Sequence, residues 1–219
     1  MHERKEAENR ELAQCYYITA RQQLSATSGN ADQEKLLLRK VQEAFQAGMD
    51  IVQVREKDLP GGRLAEIVEA MQRFPEKRQL KLVVNERLDI AMSCGADGVH
   101  LPAEGVPVAA ALRKAGKEYL IGVSCHSAKE VARAEAEGAS YVLLGPIFKT
   151  PSKPSATPRG TELLRECSRT SNVPLFALGG VTRENAAACV SAGATGVAGI
   201  RLFQQEKDLN GLIQYVHSL

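Results

Sequence analysis

Four times in this chain a helical stretch ends in a residue-plus-glycine pair, and three residues later an apolar strand begins. The pairs are Ala47-Gly48 before IVQVR, Cys94-Gly95 before GVHL, Glu137-Gly138 before YVLLG and Ala192-Gly193 before GVAGI. Just past a helix end the backbone turns left-handed, which is cheap only for a residue without a Cβ. The four glycines lie 47, 43 and 55 residues apart, about twice the length of one strand-helix unit. Between them fall further short apolar runs: CYYITA (15–20), LKLVVN (80–85), LIGVSC (120–125) and PLFALG (174–179). Helical patterns such as EKLLLRKVQEAF, RLAEIVEAMQRF, AKEVARAEAEG and ENAAACVSAG fill the gaps. Eight strands in 219 residues leave about 27 residues per unit, the proportions of a (β/α)8 barrel. The strands are short, β-branched and apolar, as parallel strands covered by helices are. An open doubly wound sheet is the alternative, and the absence of GxGxxG after the first strand counts against it. The reading is therefore a single (β/α)8 TIM barrel over residues 15–219, after a polar lead-in at 1–14, with no linker and no second domain.

Composition narrows the class of function. Hydrophobic residues at 44% and charged residues at 25% exclude a disordered chain, a collagen-like chain and a disulfide-dense scaffold. A formal charge of +2 exerts no global pull toward nucleic acid or anionic membrane, so neither is expected as a partner. The five cysteines are odd in number and scattered without CxxC spacing, which predicts free thiols in a reducing cytoplasm. No apolar run approaches the length of a membrane span, and the start MHERKEAENRELAQ lacks the apolar region of a secretory signal. A cytoplasmic location is the expectation.

Side chains two apart share a face of a strand, and that rule sorts the polar residues. Gln53, Arg55 and Lys57 fall on one face and Val52 and Val54 on the other. His100 opposes Val99 and Leu101, Ser124 and His126 oppose Val123 and Cys125, and Asn85 is in phase with Val83. All cluster toward strand C-termini, where barrels of this kind carry their active sites. A lone polar residue facing an apolar interior is costly unless paired or near the mouth; several agreeing in phase and in strand end point to a site. Cys125, out of phase with His126, reads as packing and not as a nucleophile.

A second cluster suits phosphate. Gly179 and Gly180 close the seventh strand, Thr182 can cap the helix that follows, and Gly199 with Arg201 follows the eighth. Paired glycines let backbone N–H groups approach an anion at a helix start. The segment 148–160, FKTPSKPSATPRG, reads as a long loop after the sixth strand, and Lys149, Lys153 and Arg159 favour a lid over a phosphate.

In order along the chain, VQVREKD, VNERLDIA, GADGVHL, IGVSCHS, GPIFKTPSKP and LGGVTRENAAACVSAGATGVA resemble the thiamine phosphate synthase/TenI family, from about Tyr17 to Phe203. The resemblance implies a (β/α)8 barrel acting on the phosphorylated thiazole of thiamine biosynthesis. For the synthase branch it implies joining an aminopyrimidine diphosphate to thiazole phosphate. There Arg55 and Lys57 match the diphosphate pair, Asn85 and Ser124 match family site residues, Thr150 and Lys153 match loop contacts, and Gly180 matches the thiazole-phosphate loop. The family's two magnesium-binding aspartates read here as Glu86 and Gly105, so Mg2+ is implied only in the synthase branch, with Glu86 as its candidate ligand. For the TenI branch it implies cofactor-free tautomerisation of thiazole phosphate carboxylate, with His126 as acid/base. NERLDIA and LPAEGVP favour that branch, and the reading takes it as the main one, with the synthase as the alternative. His126 and Ser124 are then catalytic; Gln53, Arg55, Lys57, Asn85, His100, Thr150 and Lys153 bind substrate; Gly179, Gly180, Thr182, Gly199 and Arg201 hold phosphate. The partners expected are thiazole phosphate, a pyrimidine diphosphate in the synthase branch, and a second copy in a homodimer. A barrel that only binds a ligand, and an isomerase for another sugar phosphate, are lesser readings.

Overall fold

A computed structural model of the chain describes residues 13–25 and 29–219. Most of the lead-in at 1–14 lies outside the described residues, and Gln14 already belongs to the first strand. Among the described residues, eight parallel strands close in sequence order into one barrel. They are β1 (Gln14–Ile18), β2 (Ile51–Val54), β3 (Lys81–Asn85), β4 (Gly98–Leu101), β5 (Leu120–Cys125), β6 (Tyr141–Leu144), β7 (Leu175–Leu178) and β8 (Gly196–Gly199). Closure is made by β8 beside β1, with Tyr16 opposite Ala198.

The helices are α1 (Asn30–Gln46), α2 (Gly61–Gln72), α3 (Leu88–Ser93), α4 (Val108–Ala115), α5 (Ala128–Ala136), α6 (Gly160–Thr170), α7 (Arg183–Ser191), α8 (Arg201–Gln204) and α9 (Leu209–His217). In α1 the buried positions Leu37, Val41, Ala44 and Phe45 recur every three or four residues, one apolar stripe turned to the sheet. The helix-ending glycines do as the repeat requires: Gly48, Gly95, Gly138 and Gly193 all have positive φ, from 66° to 96°.

Strand alternation divides the apolar residues into two cores. Val52, Val54, Val84, Val99, Ile121, Val123 and Val142 pack outward against the helices. Tyr16, Ile51, Val83, Tyr141, Leu143, Phe176 and Ala198 fill the barrel interior. Small residues make room for large ones there: a Cβ on Gly122 would fall on the Tyr141 ring, its register partner on β6. Each aliphatic side chain buried in either core contributes about 1.5–3 kcal/mol. All five cysteines are free, and Cys125 lies in the outer core, where burial pushes its thiol up to about 12. No helix among the described residues is long and apolar enough to cross a membrane.

Candidate active site

The strands' C-terminal ends open into a cavity of about 480 Å3. Beneath it lies an aromatic layer of the barrel interior: the rings of Tyr16, Tyr141, Phe176 and the cavity-lining His100 pack with centroids 5.4–6.4 Å apart, and His100 lies stacked on Tyr141. Tyr16 and Tyr141 share a hydroxyl hydrogen bond of 2.9 Å, and Tyr16 also donates to Gln53 Oε1 at 3.3 Å. Gln53 Nε2 in turn donates to Asn85 Oδ1 at 2.9 Å. The chain of bonds carries polarity up from the floor toward the mouth, so buried polar atoms find partners on the way.

His100 is 2% exposed and meets the Ser124 hydroxyl at 2.9 Å through Nε2, while Nδ1 has no partner. Burial first, and the Arg55 charge second, push its pKa down to about 3, so the ring is neutral at physiological pH. His126 sits higher, half-buried at the rim. Its Nδ1 donates to the Gly145 carbonyl and its backbone N–H to Glu130 at 2.8 Å. A carbonyl only accepts, so Nδ1 carries a hydrogen and Nε2 is the nitrogen that this contact leaves free.

The alternation in Arg55-Glu56-Lys57-Asp58 splits two cations from two acids. Arg55 and Lys57 line the cavity. Glu56 and Asp58 turn the other way, onto the fully buried Arg21, whose Nη1 donates to Glu56 at 3.1 Å and to Asp58 at 2.7 Å while Nη2 donates to Asp58 at 2.6 Å. The guanidinium holds the Asp58 carboxyl down at about 2. Arg21 thereby fixes the segment from which Arg55 and Lys57 project. Sequence reasoning missed Arg21; its only signal is two acids out of phase with two site cations.

Glu86 is the one non-glycine residue with positive φ among those described, at 62°. That conformation is disfavoured for an L-residue and clusters at functional sites. Lys57 Nζ meets its carboxylate at 3.1 Å.

Across the barrel, the loop after β6 is sewn to the end of β7. Ile147 N–H donates to the Leu178 carbonyl and Phe148 N–H to that of Gly179, both at 2.9 Å. Gly179 and Gly180 have φ of 94° and 65°; a Cβ on the first would lie 2.8 Å from Pro146, and one on the second would run into the Lys149 carbonyl. Glycine is required twice, by conformation and by space. Thr150 is buried, and Ser152 and Lys153 line the cavity.

Most of the sequence-derived set converges here: Gln53, Arg55, Lys57, Asn85, Glu86, His100, Ser124, His126, Thr150, Lys153, Gly179, Gly180, Gly199 and Arg201 all line the one cavity. Three residues of the wider set lie outside the lining. Thr182 is exposed and lies outside the lining: it starts α7, where its N–H donates to Asn185 at 2.8 Å. Lys149 and Arg159 are also exposed and outside it, so of the three loop cations only Lys153 reaches the cavity. Ser152 joins the lining unforeseen, and Tyr16 and Tyr141 support it from the packed layer beneath.

Residues 15–203 match the family described as thiamine monophosphate synthase, TMP-TENI. The chain belongs to this family. Within it, a thiamine-phosphate synthase of Methanoculleus marisnigri is 42% identical over 167 residues, covering 76% of this chain and 79% of the relative. One from Roseiflexus sp. is 35% identical over 194 residues, covering 88% and 82%. Among solved structures, thiamine phosphate pyrophosphorylase from Pyrococcus furiosus superposes with a TM-score of 0.79 at 27% identity, covering 94% of each chain. For this thiamine monophosphate synthase family member, fold and family agree with the sequence expectations.

Proposed function

We propose that this chain is a thiamine phosphate synthase, joining an aminopyrimidine diphosphate to a thiazole phosphate. The names carried by its relatives support this over the tautomerisation that the sequence favours as its main reading. The observation that carries it is charge: Arg55, Lys57, Lys153 and Arg201 line the cavity against one carboxylate, Glu86. They fall at separate stations, Arg55 and Lys57 after β2 and Arg201 beside the glycine turns of β7 and β8, which suits two anionic substrates better than one.

In this reading the bond between the pyrimidine methylene carbon and the diphosphate oxygen breaks, and the thiazole ring nitrogen bonds to that carbon. Diphosphate leaves with the electron pair. Arg55, Lys57 and Lys153, which line the cavity, meet the charge that develops on it. Gly179, Gly180, Gly199 and Arg201 hold the thiazole phosphate. Ser124, braced by neutral His100, offers a hydroxyl to the reacting centre. A magnesium site on two protein carboxylates does not fit these residues: Glu86 is committed to Lys57, Gly105 has no donor side chain, and Glu104 lies outside the cavity lining. No step here runs through a metal.

The test incubates the full chain with both substrates and identifies the products. Thiamine phosphate and diphosphate in equal amounts are expected, and Arg55→Ala is expected to lower kcat/KM by about 10²–10³. No condensation product under any metal supplement would refute the reading. His126 favours a second one, since it lines the cavity with Nδ1 held by the Gly145 carbonyl and Nε2 left for a substrate proton. If the chain is a tautomerase, thiazole phosphate carboxylate alone exchanges a ring proton in deuterated water, and His126→Ala abolishes that exchange. No exchange by the wild type dismisses it.

A further inference from the structure

We propose that Cys15, Asp50 and His217 form a site for a divalent, zinc-like cation at the end of the barrel opposite the mouth. Cys15 lies at the start of β1, Asp50 immediately precedes β2, and His217 closes α9. These segments, far apart in the chain, bring a thiol sulfur, a carboxylate oxygen and an imidazole nitrogen within 4.8 Å of one another. Among the described residues no other group of three such donors converges this closely.

The donor set is chemically selective. Mixed sulfur, nitrogen and oxygen ligation in tetrahedral geometry suits zinc and its analogues, whereas calcium and magnesium take oxygen. Around such an ion neighbouring donor atoms stand about 3.3–3.6 Å apart. His217 Nε2 and Asp50 Oδ2 are 2.9 Å apart without it, so seating the ion asks for shifts of about an ångström. The carboxylate is already oriented, because Asp50 Oδ2 also accepts the Cys15 N–H at 2.7 Å.

Charge and access agree. A thiolate, a carboxylate and a neutral imidazole sum to the charge that a divalent ion cancels. Without the ion, burial and the Asp50 charge both push the Cys15 thiol well above its ordinary range. Binding must therefore expel the thiol proton. Asp50 and His217 side chains keep 30% and 26% of their surface exposed, which leaves an entry path and a fourth position for water. The ion would staple the first strand, the second strand and the last helix.

Cobalt(II) reports on the site directly. Chelator-treated full-length chain is titrated with Co2+ and followed by absorption. One equivalent giving tetrahedral visible bands and a sulfur-to-cobalt charge-transfer band, displaced by Zn2+, is expected. Cys15→Ser should abolish the charge-transfer band. His217→Gln, on the half-exposed end of α9, should weaken binding by about tenfold or more and serves if the Cys15 variant fails to fold. No sulfur band in the wild type, or the same titration in the variants, would mean that the three residues only fasten the chain by hydrogen bonds. Synthase activity plays no part in this readout, so its failure and that of the proposed function are separate outcomes.

Discussion

His100 and His126 are one residue type placed to opposite ends. His126 keeps one nitrogen on a backbone carbonyl and lies half-buried among the residues that line the cavity. His100 is sealed under the mouth, where burial and Arg55 hold its pKa down at about 3 against an ordinary 6.5. The sign follows from proton linkage. Between those values the unfolded chain binds a proton that the folded one refuses, so stability falls as pH drops from about 6.5 toward 3, by up to about 1.4 kcal/mol per pH unit. His100→Gln should flatten that fall, measured by urea denaturation at several pH values; parallel curves for wild type and variant would contradict it. Strand phase marks His100 as facing inward, because alternation is local to the chain. Its neutrality is not local: it depends on how much protein closes over the ring and on a cation from another strand.

At the scale of elements, the end of β2 illustrates how one segment is held so that its neighbours can work. Arg21 spans to Glu56 and Asp58, and Thr19 Oγ1 donates to Glu56 at 2.6 Å. Removing one member of a buried ion pair strands the other charges. Arg21→Ala should cost about 3–5 kcal/mol in chemical denaturation. Asp58, held down at about 2, contributes stability above its ordinary 3.8 that is lost as pH falls through that interval. Half its side chain is exposed, which keeps that share small. The loop after β6 is the converse case. Its composition says loop, but a cation in irregular backbone has no period to assign it a face. Lys153 turned inward, and Lys149 and Arg159 turned out.

The whole molecule separates two tasks by the polarity of its strands. All C-terminal ends meet at the cationic mouth, and Cys15, Asp50 and His217 converge at the opposite end, beside the starts of β1 and β2. A cationic mouth makes a physical prediction independent of catalysis: inorganic diphosphate should raise the melting temperature more than orthophosphate does. At a hundred times its Kd the gain is about 2.7 kcal/mol, and it should fade with added salt. Equal shifts for both anions would argue against a diphosphate station. By itself the amino-acid sequence determined the eight-unit rhythm, the inward phase of Gln53, Arg55, His100, Ser124 and His126, and the glycine turns, because strand period and left-handed backbone are properties of neighbouring residues. Only tertiary structure decided that Thr182 falls outside the cavity lining, that Glu86 answers Lys57, that Arg21 locks the REKD segment, and that the first strand meets the last helix. Each of those depends on which distant segments the closing barrel brings together, and a one-dimensional pattern carries no measure of that distance.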